Sequence, residues 1–198
     1  HNLSPITYHL KPNSGFTLIE LMVTLSLFVV LTTIVLFSNS KFNGSILLTN
    51  LAYDVAITIR QAQTFGVNVR ESENSFQHAY GVHFDISNSK QFILFADDNP
   101  SINDVYGGDY KYVSSGSDAI IDTYNIKRGN YISQICIPSD CLITKLDIAF
   151  KRPNPDAKII VNGNTSVTQA TITISSADGN SSRNIVVNST GQISVEKN

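Results

Sequence analysis

Apolar residues follow three successive patterns along this chain. From Phe16 to Phe37 they are nearly continuous, broken only by Thr and Ser and by one charge, Glu20. Written as a helix, the stretch covers about 33 Å, enough to cross the hydrocarbon core of a bilayer. The next segment, 38–45 (S-N-S-K-F-N-G-S), is polar, and Gly44 is a weak point for any helix passing through it. Helical periodicity then resumes: Leu48, Leu51, Ala52, Val55, Ala56, Ile59 and Ala62 recur at i, i+3 and i+4, while Asn50, Asp54 and Arg60 fall mainly elsewhere on the wheel. This predicts an amphipathic helix ending near Phe65-Gly66. The two helical stretches together predict one long rod, apolar first and packed against a globular head afterwards.

The third pattern begins at Ala79. Short runs rich in Ile, Val, Tyr, Phe and Thr alternate with turn clusters such as Ser87-Asn88-Ser89 and Asp178-Gly179-Asn180. They predict strands over 79–86, 91–96, 119–126, 131–138, 142–151, 158–161, 170–175, 184–188 and 192–195. The longest irregular stretch is 99–116. The expected class is therefore α+β, a long N-terminal helix packed on an antiparallel β-rich head, and no internal repeat is evident.

Composition changes this picture little. With 198 residues, 42% hydrophobic and 15% charged, the part beyond the apolar helix has the length of one domain with its own core. A formal net charge of −2 carries no basic footprint and argues against nucleic acid as the main partner. Lys11 on the short N-terminal side favours that side as cytoplasmic, which places the head outside the cytoplasm. The two cysteines, Cys136 and Cys141, are spaced C-I-P-S-D-C, with Pro138, Ser139 and Asp140 supplying turn chemistry between them. A disulfide is the favoured reading, with two free thiols or half of a metal site as alternatives; two cysteines without a neighbouring His fall short of the four ligands of a structural zinc.

Glu20 is the residue that demands an explanation. An unpaired carboxylate inside a spanning helix costs roughly 2 to 3 kcal/mol even on lenient insertion scales, so a partner is expected. An ordinary signal anchor with a snorkelling glutamate would account for a shallow charge. It does not account for the string Gly15-Phe16-Thr17-Leu18-Ile19-Glu20 before some twenty apolar residues. That string resembles the N-terminal signature of the type IV pilin and type II secretion pseudopilin superfamily. The resemblance implies a leader over 1–15, cleavage by a prepilin peptidase between Gly15 and Phe16, N-methylation of Phe16, and a charge pair between Glu20 and the terminal amine of a neighbouring subunit's Phe16. It also implies domains at 16–37 (transmembrane and assembly helix), 38–66 (its amphipathic continuation) and 67–198 (the head). The implied partners are other pilin or pseudopilin subunits, the prepilin peptidase, an inner-membrane assembly platform and membrane lipid. Many pilins carry a proline about twenty residues into the mature helix; this chain has none there, leaving Gly44 as the candidate for a break.

A second, looser resemblance concerns the head. The helix ending in R-Q-A-Q, the stretch L-D-I-A-F-K-R-P-N-P-D-A and the tail V-V-N-S-T-G-Q-I-S-V resemble minor pseudopilins and pilins of the GspH and FimT type. Some FimT-like members bind DNA through arginines near the C-terminus, and the tail here has none over 191–195.

Two constellations invite chemistry. Asp97, Asp98, Asn99, Ser101, Asn103, Asp104 and Asp109 gather oxygen ligands of the kind calcium takes, but without the glycine and closing glutamate of an EF-hand; a solvated turn is the expected reading. His78 and His83 are five apart and point to opposite faces of a regular strand, a poor ligand pair. No serine sits in a G-x-S-x-G elbow, so catalysis is unsupported and no cofactor is expected. Three classes of function remain in competition: a filament subunit, expected to be a minor pilin or pseudopilin; an adhesive or DNA-binding pilus-tip subunit; and a membrane-tethered enzyme, the least supported. Secretion, motility, adhesion and uptake are not distinguished by the residues.

Overall fold

The computed structural model describes residues 15–68, 78–98, 108–114, 118–163 and 165–197. All but the last residue of the anticipated leader lies outside them, as do Asn99, Ser101, Asn103 and Asp104 of the oxygen-rich loop. The chain divides into two compact units, His1–Phe42 and Asn43–Asn198. Helix α1 (Leu18–Val67) contributes residues to both, and Gly44 is helical within it, with nothing within 4 Å of where a Cβ would stand.

In the second unit, the predicted apolar stripe of α1 is the face that is buried: Leu48, Ala52, Val55, Ile59 and Ala62 are fully enclosed, while Tyr53 and Ile57 point outward. These residues share one core with two antiparallel sheets. The first has six strands in the order β3-β2-β1-β5-β6-β7, built from β1 (Ala79–Asp85), β2 (Gln91–Asp97), β3 (Ala119–Asn125), β5 (Lys145–Phe150), β6 (Ala157–Val161) and β7 (Thr165–Val167). The second is β10-β9-β8-β4, from β4 (Tyr131–Cys136), β8 (Gln169–Ser175), β9 (Ser182–Asn188) and β10 (Ile193–Lys197). Alternation supplies the core from both sheets: Val82 and Phe84, Leu146 and Ile148 from the first, Ile172 and Ile174, Ile185 and Val187 from the second. The end of the helix is tied down by Gln63, whose side-chain amide donates to the carbonyls of Pro155 and Gly191 at 2.9 and 3.1 Å.

All nine anticipated strands are present, and two local departures have physical causes. The run expected over 142–151 enters the sheet only at Lys145, because the Asn162 side chain accepts the Thr144 and Lys145 main-chain N–H groups and holds this entry outside the ladder. A tenth strand, β7, pairs with β6 across a turn whose Asn162 and Gly163 both have positive φ, 49° and 78°. Three residues are too few for alternation to register, although Asn-Gly is a hairpin signal. The central strands β1, β2 and β5 are buried almost throughout. Their outer face is covered by residues 108–114, part of the stretch that the sequence marks only as irregular.

Candidate functional site

The N-terminal unit holds the residues singled out from the sequence. Helix α1 starts directly after Thr17, whose Oγ1 accepts the Glu20 N–H at 3.2 Å; the Thr17 hydroxyl in turn lies 3.5 Å from Glu20 Oε2. The first helical bond, Leu21 N–H to Thr17 C=O, is 3.1 Å. Thr17 is thus the N-cap and Glu20 the third helical residue, an arrangement close to a capping box. A carboxylate here also faces the positive end of the helix dipole, a favourable contact of about 0.3 to 1 kcal/mol. The sequence reading gave Glu20 no local partner, and Thr17 escaped it; the T-x-x-E spacing ahead of an apolar run is the signal that identifies it.

Beyond this cap, Leu18–Leu36 is long and apolar enough to cross a membrane, with mean hydropathy 2.4 and none of it buried within the protein. Phe16, just ahead of the cap, is 80% exposed. A surface of this kind has no stable place in water. It requires lipid or other apolar helices around it. Its one carboxylate sits at the very start of the helix, beside two main-chain positions, Gly15 and Phe16, that lie outside regular structure.

Among its described residues the head supplies no second cluster of comparable clarity. Cys136 and Cys141 are joined in a disulfide with Cα atoms 3.9 Å apart, closing a loop in which Ile137 and Asp140 pair through their main chains. His78 and His83 go to different carboxylates, Asp98 at 2.8 Å and Asp147 at 2.6 Å, and so do not converge. Among the described residues no group of three or more His, Cys, Asp or Glu side chains could hold a metal. Asp97 and Asp109, the described ends of the oxygen-rich loop, both serve the main chain around Tyr110: Asp97 accepts the Tyr110 N–H at 2.5 Å and Asp109 the Lys111 N–H at 3.1 Å. Burial pushes the Asp97 carboxyl up to about 8, reinforced by the negative charges of Asp118 and Asp109.

Residues 10–36 match the family model described as the prokaryotic N-terminal methylation motif. No curated protein and no solved structure matches the chain. The motif match supports the type IV pilin and pseudopilin superfamily and, with it, a structural role. Together with the one helix among the described residues that is long and apolar enough to cross a membrane, it fits anchoring by one membrane pass in the inner membrane, and a pilus in the assembled state.

Proposed function

We propose that this chain is a minor pilin or pseudopilin, cut between Gly15 and Phe16 by a prepilin peptidase, N-methylated on Phe16, and polymerised through its N-terminal helix with the head outside the cytoplasm. The observation that carries the reading is the methylation motif over 10–36, which contains the apolar span Leu18–Leu36 with Glu20 as its sole charge. Cleavage there creates an ammonium two residues before the helix starts, at an end already positive from the helix dipole. Neither that ammonium nor Glu20 is tolerable alone in hydrocarbon, and each satisfies the other when supplied by adjacent subunits. The Thr17 contact gives Glu20 a hydrogen bond in its own chain but no counter-charge. Other subunits, the peptidase, an assembly platform and lipid are the partners this reading requires. The choice of a minor, GspH- or FimT-like subunit rests on the order of elements, a helix followed by two antiparallel sheets, and on the resemblance of the head's segments.

Mass spectrometry of the mature chain tests processing: the expected N-terminus is N-methylated Phe16, and an intact leader reduces the reading to a plain membrane anchor. Glu20→Ala tests assembly. The variant should insert, and accept cleavage after Gly15, yet be largely lost from purified filaments; wild-type incorporation sinks the pairing role. Quantifying the chain in those filaments distinguishes a minor from a major subunit.

A further inference from the structure

On the outer face of the six-stranded sheet, away from the core, Ile93, His83 and Asp147 lie in one row across β2, β1 and β5. One row along, Asp85 and Lys145 are cross-strand partners with their charges 3.6 Å apart, and Gln91 opens β2 beside them. The segment 108–114 rises over this face as a wall. Three of its main-chain N–H groups are each fixed by a different carboxyl: Tyr110 by Asp97, Tyr112 by Asp147 Oδ1 at 3.3 Å, and Val113 by Asp118 at 2.6 Å. The Tyr112 ring packs 5.0 Å from His83 and 5.5 Å from Phe95. Between wall and sheet lies a half-open cavity of about 270 Å³, with Asn88 from the 3-10 turn Ile86–Asn88 at its rim and Ser114 on the wall.

The chemistry of the lining is specific. Asp147 Oδ1 accepts the Tyr112 N–H and meets His83 Nδ1 at 2.6 Å, which fixes the imidazole where it lines the cavity. Asn88, Gln91 and Ser114 make no side-chain hydrogen bond among the described residues while lining the same space. Burial raises the Tyr112 phenol above its usual value, helped by the charge of Asp118, which keeps its hydroxyl a donor. Asp85 and Lys145 cancel, so the lining holds no surplus cation to select an anion. A cavity that offers mixed donors and acceptors with balanced charge is complementary to alcohols, which donate and accept at one atom. Its volume lies just below the range of drug-sized ligand sites, the scale of a single ring.

We propose that this cavity binds one pyranose unit of a neutral saccharide, with Gln91, Asn88 and Ser114 bonding its hydroxyls beside the His83 and Tyr112 rings. Saturation-transfer NMR on the detergent-solubilised full chain, with D-glucose, D-galactose and N-acetyl-D-glucosamine each as probe and glycerol as the acyclic control, tests it. At least one sugar should give saturable transfer at millimolar concentration. Gln91→Ala combined with Ser114→Ala should weaken that binding about tenfold or more while leaving the thermal midpoint in place, the effect of removing two hydroxyl contacts. No saturable transfer from any of the three sugars overturns the proposal, as does transfer that survives in the variant or is matched by glycerol. The outcome is independent of filament assembly, which the Glu20 variant reads separately.

Discussion

Asp97 ends β2 with its side chain wholly enclosed, its Oδ1 without a hydrogen-bond partner among the described residues and its Oδ2 on the Tyr110 N–H. Gly108, at φ +68°, abuts the same carboxyl so closely that a Cβ would stand 1.9 Å from its carbon. A group raised from 3.8 to about 8 on folding stabilises the fold fully below its unfolded value, and that stabilisation drains away as pH climbs through 8. Between pH 4.5 and 7.5 the contribution of Asp97 should therefore fall by up to about 1.4 kcal/mol per pH unit, the limit for one proton. Asp97→Asn keeps an acceptor for Tyr110 and cannot ionise. Its unfolding free energy, measured by denaturant titration across that range, should lose this slope relative to wild type and equal or exceed wild type near pH 8; parallel pH profiles would refute the buried-carboxyl account. Glu20 shows how far single residues speak from sequence. Its charge in an apolar run and the glycine before it are readable directly. The Thr17 cap is equally local, a T-x-x-E spacing at the start of the helix, but it lies inside an apolar run whose composition speaks of the membrane before it speaks of a helix end.

At the scale of elements, the amphipathic part of α1 separates two isoleucines two residues apart. Ile59 is fully enclosed among both sheets, whereas Ile57 is 61% exposed. Ile59→Ala should cost about 2 to 5 kcal/mol through lost burial and the cavity left behind. Ile57→Ala should remain within roughly 0.5 kcal/mol in the same denaturant titration; comparable losses at the two positions would mean the helix is rotated from the face described. That face was legible because period 3.6 is a local signal, and the strands were legible because alternation and turn residues are local as well. Strand β7 was not, being shorter than the window over which alternation is visible. The segment 142–144 was misplaced because its fate depends on Asn162, eighteen residues beyond Thr144. The wall over the outer sheet face depends on three carboxyls 5 to 35 residues from the main-chain groups they hold, a relation no periodicity encodes.

For the whole molecule, the same distinction separates what each unit owes to long-range contacts. The pairing of His83 with Asp147 spans 64 residues and exists only because β5 inserts beside β1, a sheet order that chain order does not announce. The apolar stretch needs no such information, since its length and composition alone decide its solvent. Among the described residues, the core of the head draws on α1 from Leu48 onward, and the span Leu18–Leu36 is not buried. Every residue of that described core lies within 43–198, while the apolar span is surface that water disfavours. A chain restricted to 43–198 should be monomeric and soluble without detergent and should unfold in one cooperative thermal transition. It should also retain the pH slope assigned to Asp97, because every charge acting on that carboxyl lies within the retained residues. Size-exclusion chromatography followed by calorimetry across pH checks all three. Aggregation of the shortened chain, or a broad non-cooperative transition, would show that the head depends on the apolar helix for its fold, and the division of labour between a membrane-seeking helix and a self-sufficient head would fail with it.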